Sequence, residues 1–492
     1  MQRIFLLVFF SFLITGCMVG ANFHSPPPPP VHTYTQKPLP PKTAASSLAG
    51  KAGKSQTFVY GQNIRDDWWR LFHSEELNCL IERGLANSPN MAAAYGNLRQ
   101  AQEALNVQIG NSLFPAVGAS ALGQRQKFSG STIGTGTSSI FNLFNTSVSV
   151  SYALDVFGGL RRQIESLGAQ VDYQQFQLIA TYLTLTGNIV TTAVTAASYQ
   201  EQIKATLELI KIQEGQLNIM QKQFELGGIS LETVLTQETL VNQTRATLPP
   251  LQKSLSQSRH ALAVLVGDFP NAPIPVIKLS SITLPKEIPV SLPSYLVRQR
   301  PDVRASEALL HAACANVGVA TANLFPQFNI TGMFGWETSV ASQLFTPGSS
   351  VWSITGNLTQ PLFRGGALLA ARRQAIAVYD TAAAQYRQAV LTAFQNVADS
   401  LRALETDART LRAQARANDS ARRNLDLSLQ QYKLGGSSYL SLLNAQQQYQ
   451  QTLLAFIQAK AARYNDTAAL YQSLGGGWWN KPWCVKESLN GC

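Results

Sequence analysis

The chain is built from two copies of one unit, and no other feature of the sequence constrains the fold as tightly. Leu113-Phe114-Pro115 recurs as Leu324-Phe325-Pro326, a shift of 211 residues (324 − 113). Phe224-Glu225-Leu226-Gly227-Gly228 recurs as Tyr432-Lys433-Leu434-Gly435-Gly436, a shift of 208 (432 − 224). Between them, Val156-Phe157-Gly158-Gly159 is echoed by Phe363-Arg364-Gly365-Gly366. Shifts that agree this closely mark one ancestral unit of about two hundred residues copied once.

Each copy runs through the same elements. A helix ends at the Leu-Phe-Pro triplet, Asn90 to Leu113 in the first copy and Asp302 to Leu324 in the second. A strand pair follows. In the second copy Phe328, Ile330, Phe334 and Trp336 alternate with Asn329, Thr331 and Glu337, and Trp352, Ile354 and Leu358 alternate with Ser353, Thr355, Asn357 and Thr359. In the first, Val148, Val150, Tyr152 and Leu154 alternate with Ser147, Ser149, Ser151 and Asp155. Such strands suit a membrane barrel with a wet lumen, and periodicity alone fits a half-buried strand of a soluble sheet equally well. Four strands do not close a barrel with a channel, so the membrane reading requires an oligomer.

A proline-free segment comes next in each copy, Leu160 to Leu226 and Ala367 to Leu434, long enough for a helix of about 100 Å. Ile179, Leu183, Thr186, Val190, Ala193 and Ala197 step by four and three, as do Leu391, Phe394, Ala398, Leu401, Leu404, Ala408 and Leu411; this spacing predicts coiled-coil seams. Each segment stops at Gly-Gly and restarts at a Ser able to cap a helix, Ser230 in one copy and Ser437 or Ser438 in the other. Returning helices over Leu231 to Val266 and Tyr439 to Leu474 complete helical hairpins with exposed tips.

The N-terminus sets the compartment. Arg3 precedes an apolar run from Ile4 to Ile14 that is too short for a mature spanning helix and is predicted to be a signal peptide over 1–16. The small residues before Cys17 resemble a bacterial lipobox, which implies acylation of Cys17 and, with Met18 rather than Asp after it, sorting to the outer membrane; the alternative is an ordinary cleavage site with an incidental Cys. Pro26 to Pro30 and the Pro-, Lys-, Ser- and Gly-rich stretch beyond are expected to be extended, a lipid-anchored tether over 17–61. The first repeat then occupies 62–266, an equatorial linker 267–296, the second repeat 297–474 and a C-terminal equatorial tail 475–492.

Composition narrows the classes further. Charged residues are only 14% of the chain, with Gln, Asn, Ser and Thr filling surfaces that face water or pack helix on helix, and the +11 net charge has no dense basic block; nucleic acid is not an expected partner. There is no HExxH or GxSxG, and Gly118 to Gln124 lacks the Lys a phosphate loop needs. His24, His32, His73, His260 and His311 are scattered, so neither enzyme, metal site nor cofactor is expected. Cys484 and Cys492 are close enough to bridge a C-terminal loop, or remain free thiols in the tail.

These residues resemble the outer membrane factor family, most closely its lipid-anchored drug-efflux branch. The resemblance rests on Asp67-Trp68-Trp69 with Phe72, Leu154-Asp155-Val156-Phe157-Gly158, Arg300-Pro301-Asp302-Val303-Arg304, Gln360-Pro361-Leu362-Phe363 with Gly365-Gly366, and Leu474 to Trp478. It implies an α+β membrane protein in which a homotrimer forms a twelve-strand transmembrane β-barrel and a twelve-helix coiled-coil α-barrel, with two short helices stacked beside each long one. It implies an outer-membrane exit channel that passively conducts drugs or other small molecules. The implied partners are outer-membrane lipid, an inner-membrane pump, and a periplasmic adaptor that meets the tips at Leu226, Gly227, Gly228, Leu434, Gly435 and Gly436. The alternatives are a one-step protein secretion channel of the same family, and a coiled-coil adhesin or adaptor. Many relatives carry an Asp about eight residues past the second tip, forming an acidic periplasmic gate; here that place is held by the neutral Asn444, with Leu440 one turn earlier and Asp426 as its antiparallel counterpart. Met18, Met91, Met220 and Met333 form no ladder of the kind copper or silver exporters carry.

Overall fold

The structure is a computed structural model that describes residues 18–129 and 138–481. It divides into two compact units. One, the strand unit, draws on residues 18–26 and on the described parts of Asn97–Gln175 and Ala305–Arg387; the other, the helical unit, on Pro27–Gly96, Phe176–Arg304 and residues 388–481.

The strand unit is organised by a four-stranded antiparallel sheet of β2 (Ala116–Phe128), β3 (Ser139–Leu154), β5 (Gln327–Thr338) and β6 (Ser350–Thr359), in that order, so each copy contributes one hairpin. The register lines up apolar rows: Val148 opposite Phe334 and Phe334 opposite Trp352, then Val150, Gly332 and Ile354, then Leu154, Phe328 and Leu358. The intervening rows are polar, with Ser151 opposite Thr331 and Thr331 opposite Thr355, and Ala153, Asn329 and Asn357 beside them. The apolar side is open to its surroundings: Trp352 is 72% exposed and Ile354 76%. Asp155 closes the sheet onto the next helix, its carboxylate accepting from the backbone N–H groups of Leu160 and Arg161 at 3.0 and 2.9 Å. That is an N-terminal cap on α3 (Gly159–Glu225).

The helical unit contains α1 (Glu75–Asn87) and the hairpins. In the first hairpin α3 returns as α4 (Leu231–Ala246) and α5 (Leu248–Leu265); in the second α8 (Ala367–Lys433) returns as α9 (Tyr439–Ser473). The connecting helices are α2 (Pro89–Leu113), α6 (Pro293–Gln299) and α7 (Pro301–Ala322). The first return helix is two helices, as the resemblance implies, rather than the single run over 231–266 that the residue pattern predicts. Pro249 and Pro250 lack N–H donors and crowd the preceding turn, so the chain breaks at Thr247 and restarts with proline in the first turn. The second copy has no such pair, and α9 is continuous over 35 residues rather than two stacked helices. The apolar span of α3 that is long enough to cross a membrane is 61% buried within the protein.

Seam residues Ile179, Leu183, Thr186, Val190, Ala193 and Ala197 are all buried. On α8 the lower seam holds, with Leu401, Leu404, Ala408 and Leu411 at most 3% exposed, but the upper seam is shifted. Leu391 is 59% exposed, while Val390, Ala393 and Val397 are buried in place of Leu391, Phe394 and Ala398. Ala382, Ala393, Leu404 and Ala415 fall on one line at 11-residue spacing. Such a repeat, about 3.7 residues per turn, runs nearly parallel to the helix axis, whereas a heptad template drifts off it.

At the other end of the hairpins a short core gathers the motifs around Trp68, Arg300 and Trp478. Trp68 is fully buried and stacks on Tyr471 with ring centroids 5.4 Å apart, and the Tyr464 hydroxyl donates to the Ile282 carbonyl at 3.0 Å. Arg300 forks onto Asp302 and donates to the Ser473 carbonyl at 3.1 Å, while the Trp478 indole donates to the Gln299 carbonyl at 2.7 Å. A parallel pair, β1 (Thr57–Tyr60) with β4 (Glu287–Val290), joins the N-terminal segment to the linker between repeats.

The shifted seam is testable by overpacking. Ala393→Leu is expected to lower stability by about 1–3 kcal/mol and Leu404→Ala by about 2–5 kcal/mol in denaturant unfolding of the purified protein. A neutral Ala393→Leu would return the seam to the heptad register.

Candidate functional site

The two hairpin tips share one design. After α3, Leu226 is 87% exposed, Gly227 takes φ +74°, and the N–H groups of Gly227 and Gly228 donate back to the carbonyls of Phe224 and Gln223, both at 2.8 Å. Ser230 then accepts from the Thr233 N–H and starts α4. After α8 the pattern repeats: Leu434 is 87% exposed, Gly435 takes φ +72°, Gly436 donates to Gln431, and Ser438 rather than Ser437 accepts from the Ser441 N–H to start α9. A side chain in the left-handed region costs roughly 1–2 kcal/mol, which is why Gly holds these turns. Each tip therefore presents a leucine with no apolar cover in the protomer.

The tips are tied to each other by polar contacts that no local pattern announces. The Tyr439 hydroxyl donates to Gln237 Oε1 at 2.6 Å, and Gln237 Nε2 donates to the Gln213 carbonyl at 3.1 Å. Gln446 donates to Gln216, Gln458 to Gln202 at 3.3 Å, and Lys460 pairs with Glu201 at 2.8 Å. These contacts make a ladder from α9 to the first hairpin. Burial raises the Tyr439 phenol well above its ordinary range, with the neighbouring Tyr432, 5.9 Å away, adding to the shift. Beside the ladder lies a cleft of ≈ 470 Å³ between the tips, lined by Ile219, Met220, Leu226, Leu429, Tyr432 and Leu442 among others. None of the ladder residues was a sequence candidate; the glutamine clusters at 446–448 and 450–451 were the available signal.

The candidate gate residues lie off the packed side of the second hairpin. Leu442, Ala445 and Gln446 are buried on α9, and Ala421 and Ser428 on α8. Leu440, 62% exposed, and Asn444, also exposed, share one free face of α9, and Asp426 is exposed on α8. Among the described residues no ion pair engages Asp426. Cys17, Cys484 and Cys492 lie outside the described residues; Cys79 is an exposed thiol and Cys314 a buried one.

The N-terminal segment is extended, as expected, and it is also docked. In the strand unit the Val19 N–H donates to the Phe157 carbonyl at 3.1 Å. Arg162, 1% exposed, donates to the carbonyls of Val19 and Gly20 at 3.2 Å and to Asn22 Oδ1 at 2.8 Å. Its remaining arm reaches Glu165 at 2.7 Å. Burial opposes ionisation of Glu165, but hydrogen bonds from Arg162 and His311 hold its carboxyl below the ordinary range. His311 in turn stacks on Phe23 at 4.5 Å. An extended chain leaves its carbonyls unpaired, and the five-donor guanidinium fork satisfies two of them at once.

Comparison with known proteins gives one answer. The sequence model of the outer membrane efflux protein family matches residues 80–268 and 292–476. The probable efflux pump outer membrane protein TtgC of Pseudomonas putida is 29% identical over 477 residues, covering 96% of this chain and 95% of the relative. The pyoverdine export outer membrane protein OpmQ of Pseudomonas aeruginosa is 30% identical over 422 residues, covering 84% and 87%. Among solved structures, the outer-membrane channel OprN superposes with a TM-score of 0.84 at 26% identity, covering 94% of this chain and all of that one.

Tyr439→Phe removes the hydroxyl of the tip bond without changing packing. It is expected to cost about 0.5–1.5 kcal/mol locally, so backbone amides of α4 and the start of α9 exchange roughly 2- to 10-fold faster while α3 is unaffected. Unchanged exchange at the tips would show that the ladder does not hold the hairpins together.

Proposed function

The chain belongs to the outer membrane efflux protein family, and on that premise we propose that it is the outer-membrane exit channel of a tripartite efflux system. It passively conducts small molecules out of the periplasm and carries out no chemistry of its own. The observation that carries this reading is the four-stranded sheet, one face of which sets Val, Phe, Trp, Ile and Leu in rows left uncovered in the protomer while the other is mainly Ser, Thr and Asn, with Ala153, Met333 and Val351 among them. A sheet with two free edges and an uncovered apolar face is stable in lipid only when closed into a barrel. Three copies give twelve strands, and their six hairpins give twelve helical strands for a tunnel. An inner-membrane pump supplies the driving force. A periplasmic adaptor engages Leu226, Gly227, Gly228 and Leu434, Gly435, Gly436. The relatives named for antibiotic, toluene and pyoverdine export support small molecules as the cargo.

Cys17 carries the lipid in this reading, and the barrel does not depend on it, because one acyl chain binds membranes only marginally. Cys17→Ser behind a cleavable signal is expected to give membrane-inserted trimers. A folded, fully soluble trimer would end the barrel reading.

The gate in this proposal is a neutral collar of Leu440 and Asn444. Three carboxylates about 6 Å apart at an effective dielectric of about 20 would repel by roughly 2–3 kcal/mol per pair, whereas three amides hydrogen-bond. In planar bilayers the wild-type channel is expected to show weak cation preference and little block by trivalent cations, and Asn444→Asp to gain both. Strong wild-type block abolished by Asp426→Asn would move the gate to an Asp426 ring; strong block untouched by that change would remove both residues from the gate.

A further inference from the structure

At the root of the second hairpin, α8 and α9 bring two carboxyls together. Asp466 of α9 faces Asp407 of α8 within hydrogen-bonding reach, and Asp466 Oδ2 is shielded from solvent with no hydrogen-bond donor among the described residues. Two ionised carboxylates are acceptors only, so this contact closes when one of them carries a proton. The charge of Arg463 acts on both carboxyls, but its hydrogen bonds go elsewhere and its buried Nε has no partner among the described residues. Arg463 is 1% exposed and donates to the Leu404 carbonyl of α8 at 2.9 Å and to Thr43 of the N-terminal segment at 3.3 Å.

The other groups around the pair are accounted for. Tyr464 follows Arg463 on α9 and has its hydroxyl on the Ile282 carbonyl; Glu201 of α3 is paired with Lys460 of α9; the N-terminal segment offers the neutral Thr43 and Gln56, the latter donating to Thr467 at 3.4 Å. The duplication supplies a control within the same chain. At the 208-residue offset the first copy has Tyr199, Leu255 and Ser258 where the second has Asp407, Arg463 and Asp466. The arrangement belongs to the second hairpin alone, the one whose tip carries Asp426 and Asn444.

We infer that Asp407 and Asp466 form a shared-proton site that latches α8 to α9, holding the root of the second hairpin closed in acid and loosening it as pH rises. The proton site stands on the geometry, and its consequence for conduction rests on the channel reading above. Burial first, then the charge of Asp407 and its hydrogen bond, push the Asp466 carboxyl up to about 7, with Arg463 pulling the other way. The packed pair therefore binds its proton more tightly than the separated pair, for which the ordinary value is 3.8. Its contribution to packing is complete below the ordinary value and is lost as pH rises to about 7, where two charges face one another beside a single guanidinium. One proton per protomer sets a ceiling of about tenfold per pH unit on the shift.

The test uses the purified full-length protein reconstituted in lipid. Infrared difference spectra are expected to show a protonated carboxyl band titrating near pH 7 in the wild type and absent from Asp466→Asn. Open probability in planar bilayers is expected to rise between about pH 4 and pH 7 in the wild type, by at most about tenfold per unit for each protomer that must open, and to stay flat in the isosteric Asp407→Asn. Absence of a carboxyl band titrating above about pH 6 overturns the proton site. A band present with wild-type pH dependence retained in Asp407→Asn overturns the latch. A protein that conducts at no pH defeats the channel reading, while the infrared band still decides the proton site.

Discussion

A 67-residue helix in water is held by its neighbours, because the hydrogen bonds along its own axis barely offset the entropy of ordering it. Everything in the helical unit follows from the need to bury one stripe of α3 and of α8 from end to end. On α8 that stripe is the line through Ala382, Ala393, Leu404 and Ala415, joined by Tyr386, Val397 and Ala408. It is rich in alanine. Small side chains let helices approach closely over a long distance, and the price in apolar area is met by length. The same reasoning applies to the sheet: β2 and β6 are free edges in the protomer, and their outer backbone donors and acceptors have no strand partner there.

Close packing of alanine-rich faces leaves registry weakly specified, and the glutamine ladder supplies what the stripe lacks. A buried amide is costly unless its partner sits at one height. Gln446 with Gln216, Gln458 with Gln202 and Tyr439 with Gln237 fix the sliding of one hairpin against the other. The Lys460–Glu201 pair, with its side chains 20% and 32% exposed, adds little energy by itself but has only one matching position. The ladder is thus a registry device first and a source of stability second.

What the sequence made legible follows from this division. The tandem copies, the Gly-Gly turns at 227–228 and 435–436, the serine caps and the strand alternation are all encoded by residues adjacent in sequence, and the structure places each within a residue or two. The seam of α8 slipped by one position above Leu401 because heptad and 11-residue spacings agree over two turns and part only over four or five. Pro249-Pro250 was a local signal that the return helix divides. The docking of the N-terminal segment and the ladder were invisible because their partners are distant in sequence: Arg162 lies about 140 residues from the carbonyls it binds. No periodicity links Gln446 to Gln216. Of the site, the tips were legible and the contacts that hold them were not.

The duplication also explains why two hairpins with the same outline need not move alike. The first returns through a broken helix, with Thr247 between α4 and α5, and its root is apolar or neutral where the second has Asp407, Arg463 and Asp466. The second returns through the unbroken α9. A continuous helix carries a displacement at its root to its tip as a lever, whereas a break at mid-length absorbs it. The tip residues that differ from the acidic pattern, Leu440 and Asn444, sit on that continuous helix. Divergence between the copies has therefore concentrated stiffness, charge and the candidate gate on one hairpin.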